Sequence, residues 1–299
     1  MKSKSGIIIL NKEQNMTSQT AVNRVKRLFS ADKAGHTGTL DPMATGVLPI
    51  LINRAVKAGE YMLTSSKHYL AECTLGITTD TEDISGTVLT ECEDIPEEEK
   101  VLSVCSQFVG EIMQTPPMYS AIRVNGTRLM ELARKGEVIE REARPITVYS
   151  LEAKRHSEKK YSLDIECSKG TYIRTLCADI GKALGCGATM SALCRLEAAG
   201  FTLDEAHTIS EIEKMSEEER EALIIPVEKI FEKYEIVTLP DFYASLAHNG
   251  ASIYQKKIRT SYKNGEYVRL YDKNGFFALG QVEEKDGESV IKPQKQFAL

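Results

Sequence analysis

The chain has 299 residues, of which 42% are hydrophobic and 27% charged, and its formal net charge is −5 at pH 7. This length suits one large domain and one small one, and no apolar run approaches the ~20 residues that a membrane-spanning helix needs. Seven cysteines without a C-x-x-C pair argue against disulfide and zinc frameworks. They fit reduced, buried thiols, so we expect a cytoplasmic protein with no membrane association and no signal peptide.

The overall charge conceals a strong segregation along the chain. Residues 1–70 carry ten Lys or Arg against four Asp or Glu, whereas residues 72–100 carry one against ten. Residues 120–182 are again basic, and residues 203–235 are acidic. The two basic segments could therefore face a polyanion while the acidic segments point away from it. Charge alone fits ordinary solvated surfaces equally well.

The first seventy-five residues predict two strands around a helix. GIIIL (6–10) is short and apolar, as a buried strand is. Ser18 is expected to cap a helix whose apolar side chains then recur at helical spacing. YLAECTL (69–75) alternates between apolar and other side chains, which predicts a half-buried strand.

The next segment combines a turn-rich connection, a helix and an irregular insertion. GITTDTEDISG (76–86) lacks the spacing and the final Glu of an EF-hand, so we expect Asx turns rather than a calcium site. A helix is predicted from Asp94, with Pro96 in its first turn and Glu97 completing a capping box. Residues 114–145 scatter basic residues among turns and short apolar runs, which is typical of an insertion that faces a polyanion.

The remainder of the chain predicts a strand, a helix and a change of composition. YSLDIEC (161–167) alternates as a strand does, and the apolar spacing from Ile173 predicts a helix closed by Gly185. Residues 203–235 are acidic and are expected to be helical. Short β runs separated by K-N-G turns then predict a small β-rich domain over 240–299.

One carboxylate stands alone in the stretch AGHTGTLDPMATGVLPI (34–50). Pro42 disfavours helix at Asp41, which places this carboxylate on an extended loop. Such a group takes up a proton unless a cation pairs with it. The best-placed cation is Arg174 in SKGTYIRT, because it begins a helix whose other face is apolar. A single ionised carboxylate suits a nucleophile or a lone base better than a paired acid and base. An Asp-Pro turn without chemistry remains the alternative.

Two tyrosines lie beside these elements in the sequence. Tyr69 opens a predicted strand, and Tyr172 precedes Arg174 by two residues. Aromatic rings that stack on a base are common in enzymes that act on extruded nucleotides. Tyrosines that pack in a core are equally common, so the rings alone do not decide.

Four blocks in a fixed order carry a resemblance to a known family. AGHTGTLDPMATGVLPI, QTPPMYSAIRVNG, REARPITVY and CSKGTYIRTL closely resemble the motifs of the tRNA pseudouridine-55 synthases. The resemblance covers residues 6–200. The tail, with NGASI and YVRLYDKNGFFALG, is similar to the small RNA-binding domain of PUA type that often ends these chains.

The resemblance implies an α+β protein with the pseudouridine-synthase fold. We expect a large mixed, mostly antiparallel sheet flanked by helices over residues 1–235, with an RNA-contacting insertion at about 114–145. A small β-rich, PUA-like domain is expected over 240–299. The implied activity is isomerisation of one uridine in the T loop of tRNA by base flipping, without metal or cofactor. In this family the aspartate is variously held to attack the sugar, to attack C6 of the base, or to promote a glycal intermediate.

The resemblance also assigns roles to single residues. Asp41 matches the catalytic aspartate, Arg174 the arginine that pairs with it, and Tyr69 the tyrosine that stacks on the flipped uracil and assists proton removal. His36 matches the histidine inserted into the T loop, and Tyr172 and Leu193 match residues that line the uracil pocket. Further RNA contacts are expected from a basic set: Lys12, Arg123, Arg128, Arg134, Lys135 and Arg141.

Three positions depart from the family pattern. Glu13 and Asn15 replace a usual Pro and Gly, which puts the local turn in question, and His68 stands where Arg is common. None of them touches the implied chemistry.

The implied partner is the T arm of tRNA, and no obligate protein partner is expected. Two other functions fit part of the pattern. A non-catalytic RNA-binding or RNA-folding module would use the basic segments but would not need Asp41, Arg174 and Tyr69. A guide-RNA-dependent uridine isomerase would need those three residues and a larger particle around them.

Overall fold

A computed structural model describes residues 4–63, 65–124 and 126–297, except for the side chain of Arg128. In its N-terminal part the strands are β1 (Gly6–Lys12), β2 (Ala34–His36), β3 (Thr45–Ile52), β4 (Lys67–Leu75), β5 (Ile77–Thr79), β6 (Val88–Glu91), β7 (Gly110–Gln114), β8 (Arg123–Val124), β9 (Thr127–Arg128), β10 (Arg144–Arg155), β11 (Lys160–Cys167), β12 (Ala188–Ala198) and β13 (Phe201–Thr202). In its C-terminal part they are β14 (Glu235–Thr238), β15 (Ile253–Tyr254), β16 (Tyr267–Asp272), β17 (Gly275–Lys285) and β18 (Glu288–Gln296).

The helices flank these strands. They are α1 (Ser18–Leu28), α2 (Gly59–Met62), α3 (Glu98–Ser106), α4 (Leu129–Ala133), α5 (Ile173–Leu184), α6 (Ile209–Lys214), α7 (Glu217–Ala222), α8 (Asp241–His248) and α9 (Gln255–Ile258). Short 3₁₀ helices occupy Asn53–Ala58, Leu203–Glu205 and Val227–Phe231. Within the described ranges, no helix is both long and apolar enough to cross a membrane.

The larger sheet is mixed and mostly antiparallel, which confirms the predicted fold class. Its strand order is β1-β3-β12-β4-β11-β10-β7, with β2 beside β3 and β13 beside β12. The β3–β12 pair is parallel, and its neighbours along the sheet are antiparallel. The strands β5 and β6, and likewise β8 and β9, form small separate hairpins.

Helices α1, α3 and α5 cover one face of this sheet. The alternation predicted for 69–75 appears in β4, where Tyr69, Ala71, Cys73 and Leu75 are buried under these helices. Burial of such apolar faces is the main force that holds a helix on a sheet. The predicted helix from Ile173 is confirmed as α5, and it ends at Gly185 with a left-handed φ of 84°.

Two predicted helix starts are wrong. The cap of α1 is Thr17, whose hydroxyl accepts a hydrogen bond from the amide of Thr20, while Ser18 uses its hydroxyl elsewhere. Helix α3 begins at Glu98 and not at Asp94, because the chain before it is extended and Glu97 accepts the first helical hydrogen bond, from Val101. The side chain of Glu97 makes no cap.

The acidic segment 203–235 is not the helix that its composition predicted. It is divided into the short helices α6 and α7 and two 3₁₀ turns. Thr208 and Ser216 each form a complete capping box with the Glu three residues later, and each box starts a new helix. Repeated start signals therefore break the segment.

The C-terminal sheet is small, with the order β14-β16-β17-β18-β15. It begins at Glu235, several residues before the expected boundary at 240, because β14 pairs in parallel with β16. Side chains from both sheets share one apolar cluster, in which Ile9 and Leu51 meet Leu279 and Phe297 around Phe231. The two units therefore pack directly on each other.

Candidate active site

A cavity of about 680 Å³ opens where the loop before β3 meets the N-terminal end of α5. Strands β4 and β12 form its floor, and five residues of the insertion close one side: Tyr119, Ser120, Ala121, Met130 and Arg134. All the predicted catalytic and substrate-binding residues line it: His36, Asp41, Tyr69, Tyr172, Arg174 and Leu193. The structure thus gathers in one place side chains that are up to 157 positions apart in the sequence.

Asp41 and Arg174 form a two-point ion pair. Nε of Arg174 lies 2.9 Å from Oδ2 of Asp41, and Nη2 donates to Oδ1 at 3.4 Å. The Asp41 side chain is 33% exposed, whereas that of Arg174 is 6% exposed. The guanidinium therefore backs the carboxylate from the protein side and leaves it open to the cavity, as predicted for an oriented reactive group.

Arg174 has further partners that the sequence did not indicate. Nη1 lies 3.4 Å from Oδ2 of Asp83 and donates to the carbonyl of Thr81 at 3.0 Å, and Nη2 donates to the carbonyl of Tyr119 at 2.9 Å. Asp83 is buried, and its Oδ1 accepts from the amide of Ser85, so the predicted Asx turn exists. The turn-rich connection thus supplies a second carboxylate to the arginine.

Burial and charge act in opposite directions on Asp41. Burial raises the pKa of Asp41 above its ordinary value, the Arg174 guanidinium lowers it, and the Asp83 carboxylate raises it. Arg174 shares its positive charge between two carboxylates, so only part of it opposes the desolvation of Asp41.

The loop that carries Asp41 is fixed by its neighbours on both sides. The Ser18 hydroxyl donates to the carbonyl of Leu40 at 2.9 Å and accepts from its amide at 2.8 Å. On the other side, the carbonyl of Pro42 accepts from the amide of Asn15 at 2.8 Å. The Asp41 backbone is therefore held by α1 and by the turn after β1.

The departures at Glu13 and Asn15 preserve that turn. Asn15 has a left-handed φ of 62°, a conformation that Gly adopts freely and Asn tolerates better than most residues. Glu13 accepts a hydrogen bond from Ser210 at 3.0 Å.

His68 lies on the sheet face opposite Tyr69, with Nε2 at 2.6 Å from Oδ1 of Asp164.

Lys12 was predicted to contact RNA, and this prediction is wrong. Lys12 is fully buried, and its ammonium donates to the carbonyls of Glu13, Met16 and Pro42 at 2.9, 2.7 and 3.3 Å. Burial lowers the pKa of Lys12 to about 8, although Asp41 opposes the shift. The lysine ties the turn after β1 to the Asp41 loop and has no surface to offer to a phosphate.

Tyr69 and Leu193 face the cavity from adjacent strands. Tyr69 is 7% exposed and Leu193 is 8% exposed, so each presents only an edge of an otherwise packed side chain. Burial raises the pKa of the Tyr69 phenol, and Arg195 opposes that shift.

His36, at the end of β2, accepts a hydrogen bond from the amide of Gly38 at 3.2 Å. Burial, followed by Arg195, lowers the pKa of His36, which favours the neutral form of its ring.

Tyr172 is held by a residue that the sequence did not single out. Gln114 is buried, and its side chain accepts from the amide of Tyr172 at 2.8 Å and donates to its carbonyl at 3.0 Å. This double contact joins the end of β7 to the start of α5. It fixes the backbone from which both Tyr172 and Arg174 project.

The remaining basic candidates belong to the insertion. Arg134 is exposed and lines the cavity, whereas Lys135 is exposed outside it. Arg123 donates to the carbonyl of Gly126 at 2.7 Å. Arg141 is partly buried, and its Nε has no hydrogen-bond partner among the described residues. The Arg128 side chain lies outside the described part of the structure.

The site offers no obvious ligand set for a metal. In the part of the chain that the structure describes, no three His, Cys, Asp or Glu side chains are grouped so as to hold an ion. The groups in its lining that could take part in chemistry include one carboxylate, three phenols, the His36 imidazole and three guanidinium groups; the carboxylate is that of Asp41, and the phenols are those of Tyr69, Tyr119 and Tyr172.

Comparisons with known proteins agree with this geometry. The family model described as TruB family pseudouridylate synthase (N terminal domain) matches residues 26–173, and that of the tRNA pseudouridylate synthase B C-terminal domain matches residues 174–232. The chain is 41% identical to tRNA pseudouridine synthase B of Clostridium tetani (strain Massachusetts / E88), covering 96% of this chain and 99% of that one. It is 42% identical to tRNA pseudouridine synthase B of Clostridium perfringens (strain 13 / Type A), covering 94% and 96%.

Solved structures extend the likeness to the C-terminal sheet. A chain of a Cbf5-Nop10-Gar1 complex aligns with a TM-score of 0.72 and 28% identity, covering 99% of this chain and 86% of that one. A chain of an H/ACA RNP bound to a substrate RNA containing 2′-deoxyuridine aligns with a TM-score of 0.70 and 25% identity, covering 98% and 85%. The motif blocks, the fold and the relatives agree, and the chain belongs to the TruB family of pseudouridylate synthases.

Proposed function

We propose that this protein isomerises uridine to pseudouridine in tRNA, and that its target is the T-loop uridine at position 55. The observation that carries the proposal is the Asp41–Arg174 pair, whose carboxylate opens into a cavity of about 680 Å³. That volume lies in the ~300–1,000 Å³ range of sites that enclose small ligands, so it has room for an extruded nucleoside.

The reaction needs no external reactant. The bond from N1 of uracil to C1′ of the ribose breaks, and the electron pair leaves with the base. The base turns, C5 bonds to C1′, and the hydrogen lost from C5 is balanced by one gained at N1. An ionised carboxylate against the sugar and base serves as the nucleophile or base in each of the three family mechanisms. The buried phenol of Tyr69 lies on the wall of the same cavity and is placed to assist removal of the C5 proton.

Extrusion of the base costs a few kcal/mol of lost stacking. Basic side chains that bind the backbone offset this cost and fix the register of the RNA. We assign that role to the insertion and the rim of the cavity, namely to Arg123, Arg128, Arg134, Lys135 and Arg141. The neutral ring of His36, at the edge of the cavity, is suited to fill the gap that the flipped base leaves. The C-terminal sheet, which fits a PUA-type domain, would add a second RNA contact.

The relatives favour a tRNA substrate over the alternatives. Those named tRNA pseudouridine synthase B are 41–42% identical to this chain, whereas the chains from the Cbf5-Nop10-Gar1 complex and the H/ACA RNP are 25–28% identical. A non-catalytic module gives no reason to keep a carboxylate paired with a buried guanidinium and open to a cavity. Guide dependence is therefore the alternative that an experiment must exclude.

The first test replaces the carboxylate without changing its shape. We expect Asp41→Asn to bind a T-arm hairpin RNA normally but to lower tritium release from C5-labelled uridine by more than about 1,000-fold. Asp204→Asn, which neutralises an exposed carboxylate in the acidic segment, is the matched control and keeps full activity. Normal release by Asp41→Asn would remove this carboxylate from the mechanism.

The second test concerns the substrate. The purified protein should modify a bare T-arm hairpin without other RNA or protein, and mapping of carbodiimide adducts by primer extension should place the product at position 55. A protein that depends on a guide RNA is inactive in this assay. Modification at another uridine would refute the T-loop assignment while leaving the isomerase activity in place.

A further inference from the structure

The cavity floor contains a buried cation that the chemistry above does not use. Arg195, on β12, is only 1% exposed. It is among the largest fully buried side chains of the described residues. A guanidinium stays charged in proteins, so its burial has to be compensated by partners. Its position in the floor of the cavity, near Leu193, makes those partners relevant to the reaction.

Arg195 differs from Arg174 in its partners. No carboxylate of the described chain lies within 4.0 Å of it, whereas Arg174 pairs with two. Instead, Nε donates to the carbonyl of Val47 on β3 at 2.7 Å, and Nη2 donates to the carbonyl of Gly38 at 3.2 Å. Gly38 is three residues before Asp41. The guanidinium thus ties the loop that carries the carboxylate to the strand that follows it.

The sheet register places the same residue against Tyr69. Arg195 is the direct cross-strand partner of Tyr69 on β4 and of Gly46 on β3. Residues directly opposite in an antiparallel pair have their β-carbons about 5 Å apart, and both of these side chains line the cavity. Arg195 therefore contacts both the loop of Asp41 and the strand of Tyr69.

We propose that Arg195 is a positioning residue for the isomerisation. It holds the Asp41 loop and the Tyr69 ring in a fixed position relative to each other around the flipped uracil. The inference rests on the proposed function and adds a residue to it. Two hydrogen bonds to carbonyls at fixed angles suit the planar fork of arginine, and a lysine ammonium reproduces the charge without that geometry.

The charge of Arg195 also acts on the groups that surround it. Burial raises the pKa of Tyr69, Arg195 lowers it, and Cys167 and Asp41 raise it. The groups on which Arg195 acts project from three strands, and they are Lys12 on β1, His36 on β2, and Lys67 and Tyr69 on β4. Loss of the guanidinium would leave the phenol less able to support removal of the C5 proton.

The test separates positioning from folding and from RNA binding. Arg195→Met and Arg195→Lys are compared with Arg155→Met, which removes an exposed arginine of β10. The measurements are thermal unfolding, Kd for a T-arm hairpin, the single-turnover rate, and the deuterium isotope effect with uridine labelled at C5. We expect Arg195→Met to lose about 100-fold in rate, the cost of a misplacement of about 1 Å. We expect its Kd to stay within about threefold, because the lost contact acts on the bound reacting groups.

The lysine variant supplies the second readout. Arg195→Lys should recover about tenfold of the lost rate, since it restores the charge but only one donor position, and both variants should show a larger isotope effect. If Arg195→Met does not fold, a folded Arg195→Lys with unchanged Kd and a rate about tenfold low still supports the inference. A normal rate in either folded variant, or a Kd that rises in proportion to the loss of rate, would overturn it. Normal product from the wild type and Arg155→Met leaves the proposed function intact in that event.

Discussion

At the level of single residues, the site depends on two carboxylates, Asp41 and Asp83, that compete for the guanidinium of Arg174. Arg174 pairs with Asp41, which faces the cavity, and with Asp83, which is buried behind it. Asp83 fixes the arginine but also raises the pKa of Asp41. A carboxylate with a raised pKa is more basic and more nucleophilic than an ordinary aspartate, provided that the arginine keeps it ionised at working pH.

This competition predicts the pH dependence of the rate. The ionised form of Asp41 is the active one, so the rate falls as the pH drops through the pKa of Asp41. Arg174 lowers that pKa, and its removal therefore raises it further. We expect Arg174→Gln to shift the acid limb of the pH–rate profile to higher pH and to lower the plateau by about 100-fold or more, because a broken buried pair costs about 3–5 kcal/mol.

The lysine variant at the same position is the control. Arg174→Lys keeps the charge but loses the two-point geometry, so we expect a lower plateau with a smaller shift of the acid limb. Single-turnover rates measured across the acid range check both variants. An acid limb in Arg174→Gln at the wild-type pH would show that this pair does not govern the ionisation of Asp41.

The sequence predicted some of these residues and missed others for a physical reason. Asp41 and Arg174 stand out because a Pro fixes the loop of the first and an apolar helix face anchors the second. Asp83 was taken as a turn residue, and that local role is correct. Its contact with Arg174 is made across 91 positions and leaves no local signal. Lys12 shows the opposite case. Its place in a basic segment predicted an exposed residue that contacts RNA, but long-range packing buries it.

At the level of elements, glycine allows β3 to approach β12. A β-carbon on Gly46 would lie 2.2 Å from the carbonyl oxygen of Arg195, and φ of Gly46 is 100°. Any side chain there would push apart the two strands that align the Asp41 loop with Tyr69. We expect Gly46→Ala to lower the free energy of unfolding by more than about 2 kcal/mol, from strain plus overlap, and to abolish activity.

Gly110 provides a matched control for this variant. Its φ is 108°, and nothing lies within 4 Å of a β-carbon built on it. Gly110→Ala therefore carries the backbone strain without the overlap, and urea unfolding of both variants isolates the steric contribution. Equal losses of stability would mean that the approach of β3 to β12 is not what requires Gly46.

The elements themselves were predicted where one signal dominates. Alternation gives β4 and β11, and helical spacing with a terminal Gly gives α5. Prediction failed where signals overlap, as at Thr17 and Ser18, which are both good caps. The backbone of Leu40 engages Ser18 and leaves the cap to Thr17. That choice depends on a loop 22 positions away, so local sequence cannot make it.

At the level of the whole molecule, the two sheets share one hydrophobic cluster. Phe231 lies between them, with ring centroids 5.3 Å from Tyr61 in the larger unit and 5.5 Å from Phe297 in the smaller. Charged contacts border the cluster, such as Lys295 to Glu60 at 2.8 Å. Since the C-terminal sheet covers apolar side chains of the larger unit, we infer that it supports the catalytic fold in addition to any contact with RNA.

This arrangement predicts that stability is coupled across the two units. Phe231 is 1% exposed, and we expect Phe231→Ala to lower the free energy of unfolding by about 3–5 kcal/mol. Amide hydrogen exchange should rise together in β1, β3 and β17, because all three contribute to the same cluster. Phe242→Ala, which removes a 68% exposed ring from α8, should change stability by less than about 0.5 kcal/mol. Faster exchange confined to β17 would mean that the C-terminal sheet folds independently and that the shared cluster does not couple the units.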